Sequence, residues 1–200
     1  MSTLALNIRM SGRLAVIIGG GVVALRKLKT LLAAGASVRV VAIDAAPEIV
    51  MLKNSGSLEI RSGSYTSDDL NGAFLAVAAT SDPLLNAQVC EDAYRLGILV
   101  VSADRPESGS ATFPALLRRG NLEIAVSTGG CCPTFAADVR NIIAESIGDE
   151  YALILQHLAE EREKLLTNGS TSTYNVEVLR LHAKRLLKEL ADPELKESMP

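Results

Sequence analysis

The chain has 200 residues, which is typical of one large domain or two small ones and enough for a substantial core. Hydrophobic residues make up 48% and charged residues 22%, a balance that excludes general disorder and fibrous repeats. A net charge of -3 argues against a nucleic-acid binder, and no apolar run is long enough to span a membrane. The three cysteines form neither a disulfide framework nor a zinc-binding spacing, so we expect a cytoplasmic protein without a bound metal.

The first half of the chain alternates short apolar runs with amphipathic stretches. This alternation is typical of a parallel sheet whose strands are joined by helices. Strands are predicted at residues 14–18, 37–42, 58–61, 74–79 and 98–101. Helices are predicted at 22–34 and 47–54, and a third starts at Asp82-Pro83 and ends at Gly97. We therefore predict an α/β fold with a Rossmann-like parallel sheet over residues 1–110.

The pattern changes after residue 110. Residues 111–118 and 122–127 flank a turn at Arg119-Gly120-Asn121 and are expected to pair as a hairpin. A helix is predicted from Pro133 to about Ile147, and two more at 149–166 and 174–190. A polar linker at 168–173 separates the last two helices, and Pro193 ends the second of them. We expect a short mixed segment at 111–147 and an all-helical C-terminal tail at 148–200.

Three consecutive glycines directly follow the first predicted strand and open the first predicted helix. The stretch fits G-x-G-x-x-A, with Gly19, Gly21 and Ala24 at the three small positions. The first glycine permits a tight turn, the second lets a pyrophosphate approach the backbone, and the third small residue lets helix and strand pack closely. Residues 14–42 place this turn in strand–glycine–helix–strand order, which predicts dinucleotide binding. A merely structural turn is the alternative.

The end of the second predicted strand is where an acidic residue would bind the ribose. Ala42 follows Val41 there, and the first carboxylate is Asp44, which reaches the ribose if the strand runs slightly longer. Ile43 is then placed to line the adenine site. No arginine beside Asp44 is available for a 2′-phosphate, so the pattern favours NAD over NADP.

Four segments of the chain share one pattern of order and spacing. The first is GGGVVALRKLKTLLAAGASVRVVA at 19–42, with its three glycines, a Val-Ala pair and an Arg-Lys pair. The others are AVAATSDPLLNAQV at 76–89, SADRPESGSATFPALLRRGNLEIAVSTGG at 102–130, and Pro133 with its helix. Over about residues 5–147 the chain thus resembles the precorrin-2 dehydrogenases and sirohydrochlorin ferrochelatases of siroheme synthesis.

The resemblance implies an NAD-dependent oxidation of the tetrapyrrole precorrin-2 to sirohydrochlorin. In some members it also implies insertion of Fe²⁺, taken up as a substrate, to give siroheme. It implies a homodimer formed through about 111–147, and it makes Asp104 the acid/base residue. The family commonly has asparagine two or three residues before this aspartate, where this chain has Val101 and Ser102. The cofactor contacts implied are Val22, Val23, Ile43 and Asp44.

Asp104 follows the carboxyl end of the fifth predicted strand, the edge where open parallel sheets bind ligands. A carboxylate there can take the proton that leaves during dehydrogenation, and a cap of the following turn is the alternative. Because the substrate carries many carboxylates, we expect a local basic patch, although for each arginine alone a solvated position is the better interpretation. Its candidates are Arg105, Arg118, Arg119 and Arg140. Ser127 and Thr128 form either a second anion site or an ordinary turn.

Two other functions fit parts of this pattern. A regulatory module that binds NAD(H) without chemistry would share the glycine turn but would not need the residues at 102–130. Another small NAD-linked dehydrogenase would share the turn as well, but the chain lacks a Tyr-x-x-x-Lys pair, since Ile98 follows Tyr94 and Leu155 follows Tyr151 at that spacing.

Overall fold

Five parallel strands form the main sheet in a computed structural model that describes residues 3–53, 56–167 and 172–191. The strands are β1 (Leu14–Ile18), β2 (Ser37–Ala42), β3 (Leu58–Ser62), β4 (Ala73–Ala78) and β5 (Leu99–Ser102). Each strand lies within a predicted apolar run or within one residue of it, and the strand order is β3-β2-β1-β4-β5. The order reverses between β1 and β4, which creates the switch point where such sheets bind ligands.

Helices connect these strands and cover both faces of the sheet. These helices are α1 (Val22–Ala33), α2 (Pro47–Leu52) and α3 (Pro83–Arg95). Successive residues of β1 point to opposite faces, so Ile17 packs in one buried cluster with Leu28 of α1, and Ile18 packs in a second cluster with Val89 of α3. A strand buried on both faces is apolar throughout, which explains the continuous run LAVII. The predicted Rossmann-like α/β fold is confirmed.

The start of α3 follows directly from its sequence. The Asp82 carboxylate accepts hydrogen bonds from the backbone N–H groups of Leu84 and Leu85, at 2.9 and 3.3 Å. Pro83 occupies the first helical position, where the missing N–H costs nothing. The α3 N-terminus is therefore fixed close to the end of β4, which positions the first turn of α3 at the carboxyl edge of the sheet.

The later part of the chain contains a hairpin and three helices. The hairpin strands β6 (Ala115–Arg119) and β7 (Leu122–Val126) pair antiparallel around Gly120, whose φ is +54°. The predicted start of β6 at residue 111 is wrong. The N–H of Ala111 donates to the carbonyl of Val100 in β5, so this residue is not available to the hairpin. Pro114 has no N–H with which to extend the hairpin pairing. The helices are α4 (Pro133–Ser146), α5 (Glu150–Thr167) and α6 (Ser172–Ala191).

The described residues form two compact units. One comprises the chain up to Phe113 together with Gly129–Cys131, and the other comprises Pro114–Thr128 and the chain from Cys132 onward. The three-part division at residues 110 and 147 stays a prediction. The predicted end of α2 at Asn54, most of the linker at 168–173, and Pro193 lie outside the described residues. Within residues 3–53, 56–167 and 172–191, no helix is long and apolar enough to cross a membrane.

Two short 3₁₀ helices, Ser67–Leu70 and Pro106–Ser108, have no counterpart in the sequence prediction. The first is closed by a capping box in which Asp69 accepts a hydrogen bond from the Thr66 N–H at 2.8 Å. Short turns of this kind are stabilised by local hydrogen bonds between side chains and the backbone. Because they have no apolar periodicity, the sequence pattern does not predict them.

Candidate active site

The first glycine of the triplet sits between the ends of β1 and β4. Gly19 has a φ of +122°, and its N–H donates to the Val41 carbonyl at 2.9 Å. A Cβ at this position would lie 2.3 Å from the Ala79 carbonyl oxygen and 3.1 Å from the Thr80 nitrogen. Only glycine combines this backbone conformation with so close an approach. The tight turn therefore lies directly against the backbone that follows β4.

The second glycine of the triplet contacts the loop after β2. A Cβ on Gly20 would lie 2.1 Å from the Asp44 carbonyl oxygen, and the Gly20 carbonyl accepts a hydrogen bond from Ala46 at 2.9 Å. Gly20 occupies a position that the G-x-G-x-x-A pattern leaves unspecified, so the sequence predicts no role for it. The contact requires the fold of β2 and its loop, and the sequence signal is only the presence of a third glycine.

The third glycine differs, because nothing lies within 4 Å of a Cβ added to Gly21. Gly21 begins α1 with no side-chain cap and no acidic residue in the first turn, so the helix N-terminus is open to an anion. Val22 is 82% exposed beside it, Val23 is less so, and Ala24 is fully buried against the sheet. This open space and uncapped helix end fit the pyrophosphate of a dinucleotide, with Gly21, Val22 and Val23 as the residues that would hold it.

The loop after β2 presents two predicted cofactor residues. The Ile43 side chain is 73% exposed and the Asp44 side chain is also exposed, while the Asp44 backbone lies against Gly20. β2 ends at Ala42, so Asp44 belongs to the loop and not to a longer strand. The structure thus brings these residues to the glycine turn, where they would meet the adenosine end of a dinucleotide.

Asp104 is held in a network of side chains at the same edge of the sheet. Its Oδ1 accepts a hydrogen bond from the Ser102 hydroxyl at 2.8 Å and another from the Asn86 amide at 3.0 Å. Ser102 is buried at the end of β5, and Asn86 is buried in the first turns of α3. Asn86 was not predicted as a site residue, because in the sequence it looks like an ordinary polar residue of a predicted helix.

The environment of Asp104 favours its ionised form. Desolvation by the surrounding protein raises the pKa of this carboxyl. The hydrogen bonds from Ser102, Asn86 and the backbone outweigh it and hold the pKa below its ordinary value. Asp104 is therefore a carboxylate at neutral pH and can accept a proton there.

Cys90 of α3 lies behind this network. Burial raises the pKa of its thiol, a hydrogen bond with Ser102 opposes the shift, and the Asp104 charge adds to it. The thiol is therefore neutral at neutral pH, and Asp104 has no second negative charge from Cys90 beside it.

The predicted basic residues occupy different environments. Arg105 is exposed immediately after Asp104. In the second unit, Arg118 forms a half-exposed cross-strand ion pair with Glu123 at 2.7 Å. Arg119 donates to the Ile147 and Ala144 carbonyls at 2.8 and 3.3 Å, so its guanidinium satisfies the C-terminal end of α4.

The remaining candidates of the second unit lie along β7 and α4. Ser127 is exposed just after β7. The Thr128 hydroxyl accepts a hydrogen bond from the Cys132 N–H at 3.1 Å and so closes the turn before α4. Arg140 is partly buried on α4, and its Nε has no hydrogen-bond partner among the described residues. Substrate binding by any of these residues stays a prediction.

Comparisons with known proteins agree with this geometry. Residues 6–115 match a family described as "Putative NAD(P)-binding", and residues 119–146 match the family "Sirohaem biosynthesis protein central". The chain is 42% identical over 140 residues to a siroheme synthase of Stutzerimonas stutzeri, and this alignment covers 70% of the chain and 30% of that protein. It is 37% identical over 165 residues to a siroheme synthase of Pseudomonas entomophila, and that alignment covers 82% of the chain and 36% of the relative.

The chain thus spans about a third of the length of the curated relatives it matches. A solved structure, described as SirC, precorrin-2 dehydrogenase, has the same fold, with a TM-score of 0.77 and 24% identity over 94% of this chain and 99% of that one. The NAD(P)-binding match alone extends over more than half of the chain. The chain therefore belongs to this NAD(P)-binding family, and its second match, to the family "Sirohaem biosynthesis protein central", agrees with the predicted resemblance to enzymes of siroheme synthesis.

Proposed function

We propose that the chain catalyses the NAD-dependent dehydrogenation of precorrin-2 to sirohydrochlorin. The observation that carries the proposal is the placement of an ionised carboxylate, Asp104, at the same sheet edge as an open glycine turn. A dehydrogenase needs a site for a dinucleotide and a group that takes a proton, and this edge supplies both. The names of the relatives, siroheme synthase and precorrin-2 dehydrogenase, support the choice of substrate.

We assign the dinucleotide as NAD rather than NADP. The exposed carboxylate of Asp44 beside the glycine turn can accept hydrogen bonds from ribose hydroxyls. The same carboxylate would repel a 2′-phosphate, and residues 42–50 contain no arginine or lysine to neutralise one. Binding measurements with both nucleotides test this assignment: we expect the tighter binding for NAD, and a smaller preference in Asp44→Asn.

The dehydrogenation removes a hydride from a carbon of the tetrapyrrole together with a proton, which adds one double bond to its conjugated system. Bound NAD supplies the hydride acceptor. Asp104 takes the proton on its carboxylate, which the hydrogen bonds from Ser102 and Asn86 keep ionised and oriented. Because its pKa lies below the ordinary value, the protonated acid releases the proton to water and the carboxylate is restored.

Arg105 is our first candidate for binding the carboxylates of the tetrapyrrole, because it is exposed next to Asp104. In the second unit, Arg118 can exchange Glu123 for a carboxylate of a ligand, since half-exposed ion pairs are weak. Arg119 would have to leave the α4 carbonyls, which makes it the weakest candidate. Substrate affinity that decreases steeply with added salt would support a role for these arginines, and salt-independent binding would contradict it.

The proposal has three further parts. Fe²⁺ would be a second substrate, inserted into sirohydrochlorin at the same site with Asp104 as proton acceptor. Residues 111–147 would form the interface of a homodimer, with 1–110 as the NAD-binding domain and 148–200 as a helical domain. Metal-insertion assays on sirohydrochlorin and the mass of the protein in solution test these parts.

The deciding experiment compares two carboxyl-to-amide variants from one loop. Asp104→Asn removes the proposed proton acceptor, whereas Glu107→Gln changes an exposed carboxylate three residues later. With precorrin-2 and NAD in the absence of oxygen, we expect no turnover by Asp104→Asn, normal turnover by Glu107→Gln and NAD binding by both. Normal turnover by Asp104→Asn would remove Asp104 from the mechanism.

A further inference from the structure

Asn86 is a buried polar side chain whose hydrogen-bonding capacity is completely used. The residue is 1% exposed, and its side-chain oxygen accepts from the Thr80 N–H at 3.0 Å and from the Thr80 hydroxyl at 2.8 Å. Its nitrogen donates to the Thr80 carbonyl at 3.2 Å and to Asp104 Oδ1 at 3.0 Å. A primary amide has two donor hydrogens and two acceptor sites, so no further partner is needed.

The partners also fix which way the amide points. A backbone N–H can only donate, so the Asn86 atom facing the Thr80 nitrogen must be the oxygen. The carbonyl of Thr80 can only accept, so the atom facing it must be the nitrogen. The amide therefore presents an N–H, and not a lone pair, to the carboxylate of Asp104.

We propose that Asn86 is a positioning residue that, together with Ser102, orients the Asp104 carboxylate so that its Oδ2 is the atom that takes the substrate proton. This inference rests on the proposed function of Asp104. Both side-chain donors use Oδ1, so the other oxygen receives neither of them. A carboxylate with one oxygen anchored in this way cannot turn over and exchange its two oxygens without breaking both bonds.

The same residue ties Asp104 to the glycine turn. Thr80 is the partner in three of the four Asn86 hydrogen bonds. The backbone nitrogen of Thr80 would lie 3.1 Å from a Cβ added at Gly19. On the other side, the Ala103 N–H donates to the Ala78 carbonyl at 2.9 Å, which joins the ends of β4 and β5. Asn86 therefore sets the place of the proton acceptor relative to the turn that would hold the dinucleotide.

A positioning role of this kind has a signature that a purely structural role lacks. Donors to a carboxylate stabilise its charged form, so removal of one raises the pKa of the acid. Cys90 is coupled to Asp104, and burial raises the pKa of its thiol, so it stays neutral over the acidic range in which Asp104 titrates. Arg105, the adjacent charged side chain, stays protonated over the same range. The acidic titration of Asp104 is therefore governed by Ser102, Asn86 and the backbone donors.

The titration of the Asp104 carboxyl can be measured directly by ¹³C NMR of the full-length protein with labelled aspartate. The Asp104 signal is identified as the one that is lost in Asp104→Asn. In Asn86→Ala and, separately, in Ser102→Ala, we expect the titration midpoint to rise by about one pH unit, a tenfold change in acid dissociation. Gln88→Ala, an exposed change on the same helix, should leave the midpoint unchanged. If the midpoint is unchanged in both Asn86→Ala and Ser102→Ala, or if only the melting temperature falls, the proposal is overturned.

Activity separates this inference from the proposed function. In Asn86→Ala we expect a lower kcat, an unchanged dissociation constant for NAD, and an acidic limb of the pH–rate profile that moves upward with the NMR midpoint. Ser102→Ala supplies the same test from a second element if Asn86→Ala does not fold. A shifted NMR midpoint in a chain that never oxidises precorrin-2 would refute the function and leave the positioning of Asp104 intact.

Discussion

The substitution Gly21→Ala distinguishes an effect on folding stability from an effect on dinucleotide binding. Gly21 has a φ of -87°, which alanine adopts readily, and a Cβ there has no neighbour within 4 Å. The same space is where we place the pyrophosphate, at the uncapped N-terminus of α1. The substitution should therefore leave the protein folded and obstruct the cofactor.

The magnitudes follow from this geometry. Loss of backbone freedom in the unfolded chain stabilises a Gly→Ala variant by about 0.4–1 kcal/mol, while alanine is a poorer first residue of a helix by up to about 1 kcal/mol. We expect the free energy of unfolding to change by less than about 1 kcal/mol. Displacing the phosphate from one charge-assisted N–H contact costs about 1.5–3 kcal/mol, which raises the Kd for NAD roughly 10- to 150-fold.

Isothermal calorimetry for NAD and urea unfolding measure the two effects on one preparation. Gly20→Ala is the comparison, because its Cβ would lie 2.1 Å from the Asp44 carbonyl oxygen and should destabilise the fold itself. Gly21 does not contact the dinucleotide as proposed if Gly21→Ala binds NAD as tightly as the parent chain, and it is needed for the fold if Gly21→Ala is destabilised as much as Gly20→Ala.

Two further predictions concern stability. Burial and the neighbouring Arg26 lower the pKa of Lys27 to about 8, and the Phe113 ring, 4.4 Å away, offsets part of this cost. Lys27→Met should therefore stabilise the protein at pH 7 by about 1–3 kcal/mol. Between pH 8 and 10.5, Lys27 is still protonated in the unfolded chain but has lost its proton in the folded chain, so the stability of the parent rises with pH. The stability gained by Lys27→Met should therefore become smaller over this range. A gain that does not change with pH in urea unfolding would contradict this. Arg119→Ala removes two charge-assisted hydrogen bonds to the end of α4 and should cost about 1–3 kcal/mol, against at most about 1 kcal/mol for Arg118→Ala. Equal losses in thermal unfolding would show that Arg119 is not a structural residue.

Local features were predictable from the sequence. The apolar runs of β1 and β4, the glycine turn and the Asp82-Pro83 start of α3 each depend on neighbours within a few residues, so their patterns identify them. Asp104 could be singled out for a similar reason, since it follows a strand whose carboxyl end lies at the ligand edge.

Long-range pairings were not predictable. Asn86 meets Asp104 eighteen residues later along the chain, and in a helical pattern it looks like a solvated polar residue. Arg119 reads as a member of a basic patch, but its guanidinium binds carbonyls at the end of α4, 25 and 28 residues away. Gly20 carries no pattern of its own, because the loop it contacts comes from the next strand. In each case tertiary structure, not local periodicity, decides the role.

The proposed reaction passes a hydride from precorrin-2 to NAD and a proton to Asp104 at one edge of this sheet. A single turnover with equal amounts of protein, NAD and precorrin-2 under exclusion of oxygen, followed by absorbance, measures both products at once. We expect NADH and sirohydrochlorin to form together in a one-to-one ratio. Unchanged precorrin-2 in the presence of bound NAD, or sirohydrochlorin formed without NADH, would contradict it.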